Sequence, residues 1–352
     1  MSLHDWIIYQ LIDSRSPGGI ETHVLNLSKW LNKNGYRSQV IFLKDHGEHP
    51  LKQQLTDEGI SWQCLNGYKA LIHLITHSPC LLSTHGYKAG IIGRVIGKCC
   101  KTPVVSTFHS GDLGTGRLKL YSYLDSLSAV LADRAISVSP EIAARLPISS
   151  NQIMNFITPQ SMPVERGNQI AFVGRLSPEK GPDSFARITA QLSQLGQPAN
   201  FHIYGDGPMA DALKQGYPHL SFHGHVDMDE HWQNIGLLCI SSESEGLPLA
   251  ALEAMTRGIP VASYRIGALP QLISHNKSGW LIPPGDETIF QSVIERWILS
   301  SGTKKAEISV NAHQQASRHF SDDAICPSIL QMYIQALQHK GHLNLKANRA
   351  AL

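Results

Sequence analysis

The sequence predicts an α/β protein made of two doubly wound, Rossmann-like parallel-sheet domains. Short apolar runs such as WIIYQLI and SQVIFL alternate with amphipathic stretches, which is typical of a parallel sheet covered by helices on both faces. The same alternation restarts after the turn-rich segment TPQSMPVERGN at residues 158–168. A chain of 352 residues is also too long for one typical core and fits two domains.

The domain boundaries follow from these patterns. We expect a first domain over residues 1–163 and a second over residues 168–320. Ser321 has the side chain of a helix N-cap, so a last helix is predicted over residues 321–338. The segment after it, residues 339–352, is predicted to be a loosely held tail.

Composition describes an ordinary globular protein, with 42% hydrophobic and 16% charged residues. The formal net charge of +2 argues against a strong general attraction to nucleic acid. Six cysteines show no CxxC spacing, which favours reduced thiols over disulfides or zinc ligands. The N-terminus has no basic segment followed by a long apolar run, and no apolar stretch could span a bilayer. We therefore expect a cytoplasmic protein.

The most informative motif is SSESEGLPLAALEAMTRGIPVA, which places two acids around a helix start. Pro248 suits the first turn of that helix, and helix formers run from 249 to 257. The helix entrance offers backbone N–H groups from Gly246 onward and a partial positive charge, which together favour a phosphate. Glu245 at the mouth and Glu253 along the helix are suited to hold hydroxyl-bearing groups. The alternative is an acid favoured by the helix dipole plus an ordinary helix glutamate.

Three loops after predicted strands carry further candidates, because ligands of such sheets bind beyond the carboxyl ends of the strands. Gly18 and Gly19 follow the first strand and let backbone approach a ligand. His109 follows TPVVSTF. Arg175 and Lys180 share the loop after QIAFV, where a rigid fork and a mobile point charge suit a diphosphate. A tight turn, a satisfied polar residue and solvated cations are the respective alternatives.

These motifs, together with IYGDGP, FHGHV and GWLIPPGD, resemble in their order the retaining glycosyltransferases of family 4, which have the GT-B fold. The resemblance covers almost the whole chain. It implies two Rossmann-like domains facing across a cleft, with the acceptor mainly on the first and the nucleotide sugar mainly on the second. It also implies a last helix that crosses back to the first domain.

The resemblance implies catalytic roles for four residues. Arg175 and Lys180 would bind the diphosphate of the donor and stabilise it as a leaving group. Glu245 would bind hydroxyls of the transferred sugar. His109 would hydrogen-bond the donor sugar and line the acceptor side.

The resemblance also implies a donor-binding set. Glu253 would bind the ribose, the backbone from Gly246 to Leu249 would meet the phosphate and sugar, and the nucleobase would lie near Val226. The full set is Gly18, Gly19, Gly246, Leu247, Pro248, Leu249, Glu253 and Val226. The chain departs from the family pattern GGxPE at Gln271, where an amide replaces the usual acid.

The implied activity is a retaining transferase of the hexosyltransferase type, serving polysaccharide or glycolipid biosynthesis. A UDP-sugar is the first expectation for the donor and GDP-mannose the next, with a glycan or lipid-linked acceptor. We expect no cofactor besides the donor and no metal, and we interpret Asp227-Met228-Asp229 as a surface loop or helix cap. A GT-B sugar-nucleotide epimerase and a non-catalytic nucleotide-sugar-binding protein are the alternatives.

Peripheral contact with an anionic membrane is a further expectation. The segment YKAGIIGRVIGKCCK, residues 87–101, mixes basic and apolar residues, as does GRLKLYSYLDSL after His109. Each segment fits equally well a helix that packs on the sheet with a solvated basic rim. The sequence leaves both interpretations open.

Overall fold

The computed structural model describes residues 2–15, 18–109, 117–162, 167–194 and 200–343, and the chain divides into two compact units. Unit 1 comprises Met1–Asn155 and Asp322–Leu352, and unit 2 comprises Phe156–Ser321. The first unit therefore ends before the sequence-predicted limit at residue 163.

Each unit is built on parallel strands, which the apolar runs of the sequence form. The strands are β1 (Ile7–Ile12), β2 (Arg37–Phe42), β3 (Trp62–Cys64), β4 (Cys80–His85), β5 (Val104–Phe108), β6 (Arg134–Ser137), β7 (Asn151–Gln152), β8 (Gln169–Val173), β9 (Phe201–Tyr204), β10 (Ser221–Gly224), β11 (Ile235–Ile240), β12 (Val261–Tyr264) and β13 (Gly279–Ile282).

Helices connect most of these strands. They are α1 (Gly19–Lys33), α2 (Pro50–Asp57), α3 (Tyr68–Thr76), α4 (Tyr87–Cys100), α5 (Arg117–Ser128), α6 (Pro140–Arg145), α7 (Pro182–Gln194), α8 (Ala210–Gly216), α9 (Leu249–Thr256), α10 (Leu269–Leu272), α11 (Glu287–Leu299), α12 (Gly302–His319) and α13 (Asp322–His339).

The sheet of unit 1 has the order β3-β2-β1-β4-β5-β6-β7, and that of unit 2 has the order β10-β9-β8-β11-β12-β13. The reversal of strand order beside the first strand of each sheet is the doubly wound topology. Central strands such as β4 and β11 are buried along their whole length, which explains why they read as apolar runs rather than as alternating patterns.

The last helix, α13, belongs to unit 1 and packs on α1 and β6. The Trp30 indole N–H donates to the Asp323 carboxylate at 2.8 Å, and the Arg134 Nε donates to Gln335 at 3.1 Å. Beyond the helix, the Leu343 side chain is buried. The described start of the predicted tail is therefore packed rather than loose, while residues 344–352 lie outside the described residues.

Within the described part of the chain, no helix combines the length and the apolar character needed to cross a bilayer.

Candidate active site

The loop after β8 carries the two cations predicted from the sequence. Arg175 is exposed, and Lys180 ends a single 3₁₀ turn, Pro178–Lys180, with a partly buried side chain. The Ser177 hydroxyl donates to the Glu179 carboxylate at 2.5 Å, which fixes the turn and lowers the pKa of Glu179. The loop is thus held in shape while the Arg175 side chain stays accessible to an anion.

The loop that carries Arg175 packs against a glycine turn at residues 205–207. The Gly174 N–H donates to the Tyr204 carbonyl at 2.9 Å, and the Leu176 N–H donates to the Asp206 carbonyl at 2.9 Å. A Cβ added at Gly205 would lie 1.9 Å from the Gly174 carbonyl oxygen, so only glycine permits this backbone approach. From the sequence alone, this GDG segment is a turn with little chemistry. Its role in the structure is to position the arginine loop.

Lys180 and Glu245 form an ion pair. The Lys180 Nζ lies 2.6 Å from the Glu245 Oε1, which also accepts from the Ser242 hydroxyl at 2.8 Å. The Lys180 side chain is 33% exposed and that of Glu245 10% exposed. The two loops are tied further by the Ser241 hydroxyl, which donates to the Gly181 carbonyl at 2.7 Å. The sequence predicted separate partners for the lysine and the glutamate, and the structure brings them together.

Helix α9 differs from the prediction at both of its ends. Pro248 is the N-cap, with φ −64° and ψ 128°, and not a residue of the first turn. The helix ends at Thr256, because Arg257 is the C-cap and Gly258 follows with φ +76°. The entrance still presents N–H groups at the start of an eight-residue helix, next to the backbone of Gly246 and Leu247.

Glu253 lies on α9, one turn before the helix ends, and is partly buried. Burial raises the pKa of its carboxyl above the usual value, and the positive charge of Arg257 opposes that rise. The Arg257 guanidinium donates to the Glu253 carbonyl at 3.1 Å and pairs with Asp229. Glu253 thus places its carboxyl on the side of the helix that faces the 227–229 segment.

The Asp227-Met228-Asp229 segment is a cap rather than an open acidic pair. The Asp227 carboxylate accepts from the Asp229 N–H at 3.0 Å and so caps the 3₁₀ turn Met228–Glu230. The Asp229 carboxylate forms an ion pair with Arg257. Val226 precedes this turn, after the end of β10, and is partly buried.

The remaining predicted residues lie in unit 1, at the carboxyl end of its sheet. Gly18 caps α1 and Gly19 is its first residue, and both are exposed. His109 directly follows β5. It is joined by two histidines that the sequence did not single out, His23 on α1 and His85 at the end of β4. The signal for His85 was its position as the last residue of the LLSTH strand.

These three histidine rings form one cluster. His85 Nδ1 and His109 Nε2 are 3.0 Å apart, and the His23 and His109 rings meet edge to face with centroids 4.6 Å apart. Burial lowers the pKa of His109 to about 4 and the pKa of His23 and His85 well below their usual value. All three rings are therefore neutral near pH 7.

A cavity of about 410 Å³ opens beside His109. Its lining includes Lys119, Tyr123, Asp125 and Arg145, so it offers charged groups of both signs and an aromatic ring. Apolar side chains such as Ile142 and Leu146 also line it, so the cavity suits a ligand with both polar and apolar surfaces.

The prediction of a basic face over residues 87–101 is wrong for Arg94. The side chain of Arg94 is 1% exposed and pairs with Asp125, while its guanidinium lies over the Phe108 ring at 5.2 Å. Burial raises the pKa of Asp125 to about 6. Glycines of helix α4 face the sheet. The Arg94 side chain holds α4 and α5 together and does not reach solvent.

Comparison with known proteins supports the same class. The model of the glycosyl transferases group 1 matches residues 155–315, and the model of Glycosyltransferase Family 4 matches residues 17–147. Together they identify the chain as a glycosyltransferase of the family 4, group 1 type.

Individual relatives are distant. The chain is 25% identical over 301 residues to the uncharacterized glycosyltransferase MJ1607 of Methanocaldococcus jannaschii, covering 74% of this chain and 76% of the relative. It is 26% identical over 222 residues to the O-antigen biosynthesis glycosyltransferase WbnH of Escherichia coli, covering 59% of this chain and 58% of the relative. Among the first curated relatives, the matched share of the relative ranges from 23% to 76%.

Solved structures show the fold. Anabaena HepE in complex with UDP-glucose superimposes with a TM-score of 0.77 at 19% identity, covering 93% of this chain and 99% of that chain. The described α/β units and this likeness establish the GT-B fold.

Proposed function

We propose that the protein is a retaining glycosyltransferase that moves a sugar from a nucleoside diphosphate sugar to a glycan or lipid-linked acceptor in polysaccharide, O-antigen or glycolipid biosynthesis. The observation that carries this proposal is the Lys180–Glu245 pair beside the entrance of α9, with Arg175 on the same loop. Two cations and a helix N-terminus suit a diphosphate, and the adjacent carboxylate suits sugar hydroxyls.

In this proposal, transfer breaks the bond between the anomeric carbon and the phosphate oxygen, and negative charge grows on the departing diphosphate. Arg175, Lys180 and the N–H groups at the start of α9 stabilise that charge, because they are fixed before the reaction. Donor binding draws Lys180 toward the phosphate, and the Ser242 hydroxyl, 2.8 Å from the Glu245 carboxylate, keeps the glutamate in place.

The configuration at the anomeric carbon is retained if the acceptor hydroxyl attacks from the side that the diphosphate leaves. The new bond forms between the acceptor oxygen and the anomeric carbon, and a phosphate oxygen takes the hydroxyl proton. Glu253 binds the ribose, and Gly246 to Leu249 meet the phosphate and sugar through their backbone. The base lies near Val226.

Within unit 1, Gly18, Gly19 and His109 are the proposed sugar-binding residues, and the acceptor site is proposed beside them. The cavity beside His109, with Tyr123 and Lys119 in its lining, supports this assignment. The neutral His109 ring accepts or donates one hydrogen bond to a sugar hydroxyl.

A UDP-sugar is the proposed donor, and the solved complex of HepE with UDP-glucose supports the choice. A thermal-shift panel of UDP-, GDP- and ADP-sugars tests it, since a ligand of the folded state raises the melting temperature by mass action. Transfer should also persist in excess chelator, because the proposed charge stabilisation uses side chains and backbone. A strict need for manganese or magnesium would overturn that part.

Helix α5 is the proposed membrane contact. Leu120, Tyr123, Leu124 and Leu127 are 39% to 65% exposed and recur at helical spacing along one side. Lys119 adjoins this stripe, which suits an anionic lipid surface. Such a contact would keep the protein at the inner face of the cytoplasmic membrane.

Co-sedimentation with anionic vesicles at low salt tests this contact. Leu124→Ser with Leu127→Ser should abolish it, whereas Leu299→Ser, at a residue 69% exposed on unit 2, should not. Equal vesicle binding by all variants would exclude α5.

A further inference from the structure

The histidine cluster of unit 1 has the composition of a metal site. His23, His85 and His109 each offer one ring nitrogen, and these three atoms lie within 4.8 Å of one another. The residues come from three different elements, α1, β4 and the loop after β5, which meet at the carboxyl end of the sheet. A convergence of three imidazoles is the ligand set of several zinc sites that keep a fourth position open.

The surroundings of His85 fix which nitrogen faces the cluster. The Gln10 Oε1 lies 2.8 Å from His85 Nε2, and an amide oxygen can only accept. The Ser83 hydroxyl lies 3.0 Å from the same nitrogen, and the Gln10 Nε2 lies 3.4 Å from the Tyr333 hydroxyl. His85 Nε2 thus has oxygen partners behind the ring, and its Nδ1 faces His109 Nε2 at 3.0 Å. An acceptor behind the ring is the usual outer support of a metal-bound histidine.

Proton positions in the cluster must change when a cation binds. Neutral imidazole is the form that binds metal ions. In the metal-free cluster His85 Nδ1 and His109 Nε2 share one proton at a separation of 3.0 Å. For both nitrogens to ligate, that proton moves through solvent to the other nitrogen of its own ring, and the ring keeps its charge.

We propose that His23, His85 and His109 bind a divalent transition-metal ion such as Zn²⁺ or Co²⁺. Bonds of about 2.0–2.1 Å hold two tetrahedral ligand atoms roughly 3.4 Å apart, so the widest pair must close by about 1.4 Å. His109 is the partly exposed member and borders the cavity of about 410 Å³, which provides a route of entry among the described residues.

The consequence is inhibition rather than catalysis. An ion on Nε2 leaves His109 only its Nδ1–H, which donates but does not accept, and closing the cluster moves the ring, so the ion and the donor compete. This competition rests on the proposed function, whereas the site itself does not.

Metal binding is tested first without any substrate. Two surface pairs would bind the same ions with only two ligands: His73 and His77, whose rings stack at 3.8 Å, and His202 and His223, whose nitrogens are 2.8 Å apart. The background protein therefore carries His77→Gln and His223→Gln. Titration with Co²⁺, followed by visible absorption, and with Zn²⁺, followed by calorimetry, should give one tight site per chain in that background.

Ligand and support variants then assign the site. His109→Gln, at the exposed rim, and His85→Gln should each remove the tight site and the tetrahedral Co²⁺ spectrum. Gln10→Leu keeps all three ligands and should weaken binding about 10- to 100-fold, as loss of an outer partner does. Circular dichroism checks that each variant is folded. Unchanged stoichiometry and affinity in the folded His109→Gln variant would overturn the proposal, as would no tight binding by the background protein.

Activity gives an independent readout of the competition. Zn²⁺ should raise the apparent KM for the donor in the background protein, and chelator should reverse the effect. Tight Co²⁺ binding in a protein without transferase activity would refute the proposed function and leave the site intact. Active enzyme that binds no metal would refute the site alone. Tight binding with an unchanged donor KM would overturn the shared role of His109.

Discussion

Gly267 supports the loop that carries Glu245, and its replacement by alanine should damage both stability and turnover. The residue has φ +51°, and an added Cβ would lie 2.1 Å from the Glu245 carbonyl oxygen and 2.5 Å from that of Gly246. The left-handed conformation costs alanine roughly 1–2 kcal/mol. The contact adds about 1–3 kcal/mol because the backbone oxygens must move.

The matched control is Gly285→Ala. Gly285 has φ +77°, and nothing among the described residues lies within 4 Å of its added Cβ. Chemical denaturation should show a loss of about 1–2 kcal/mol for the control and roughly 2–5 kcal/mol for Gly267→Ala. Steady-state kinetics should show a lowered kcat for Gly267→Ala alone, because Glu245 is displaced. Equal losses of stability and full turnover in both variants would show that the close approach of Gly267 to the Glu245 backbone imposes no such cost.

Three further predictions concern individual side chains. Glu253→Gln should raise the donor KM with little change in kcat. Burial raises the folded-state pKa of Glu253, so the contribution of this group to stability is complete below its ordinary pKa and is lost as pH rises through the raised pKa. The dependence of the unfolding free energy on pH should therefore be weaker in the same variant. Glu245→Ala should lower kcat more than it changes the donor KM, as measured by initial rates. Arg94→Leu should lower the free energy of unfolding by about 3–5 kcal/mol, because it leaves the buried Asp125 carboxyl without its ion-pair partner. Adding Asp125→Leu should recover much of that loss.

The sequence predicted the α/β class and two sheets because parallel strands buried on both faces leave continuous apolar runs. It predicted the candidate residues on strand-end loops for the same reason, since the topology fixes which ends face a ligand. The bounds of α9 were less predictable. Pro248 suits N1 and N-cap alike, and only the backbone conformation of the preceding loop decides between them.

Contacts between distant segments were beyond the sequence. Lys180 and Glu245 are 65 positions apart, and their pairing depends on how the β8 and β11 loops meet. The sequence pattern predicts Arg94 on a basic helix face, but in the structure its side chain contacts Asp125, 31 positions away. His23 and His85 join His109 for a similar reason, because the sheet places β4 beside β1, which leads into α1, although β2 and β3 lie between them in the chain.

The most direct test of diphosphate stabilisation compares the turnover of Lys180→Ala with its affinity for the nucleoside diphosphate. The matched control is Lys214→Ala, which removes an exposed lysine of α8 in the same unit. If Lys180 stabilises the departing diphosphate, kcat should fall by about 100-fold or more while the Kd for the nucleotide changes far less. An unchanged kcat in Lys180→Ala would show that Lys180 does not stabilise the leaving group.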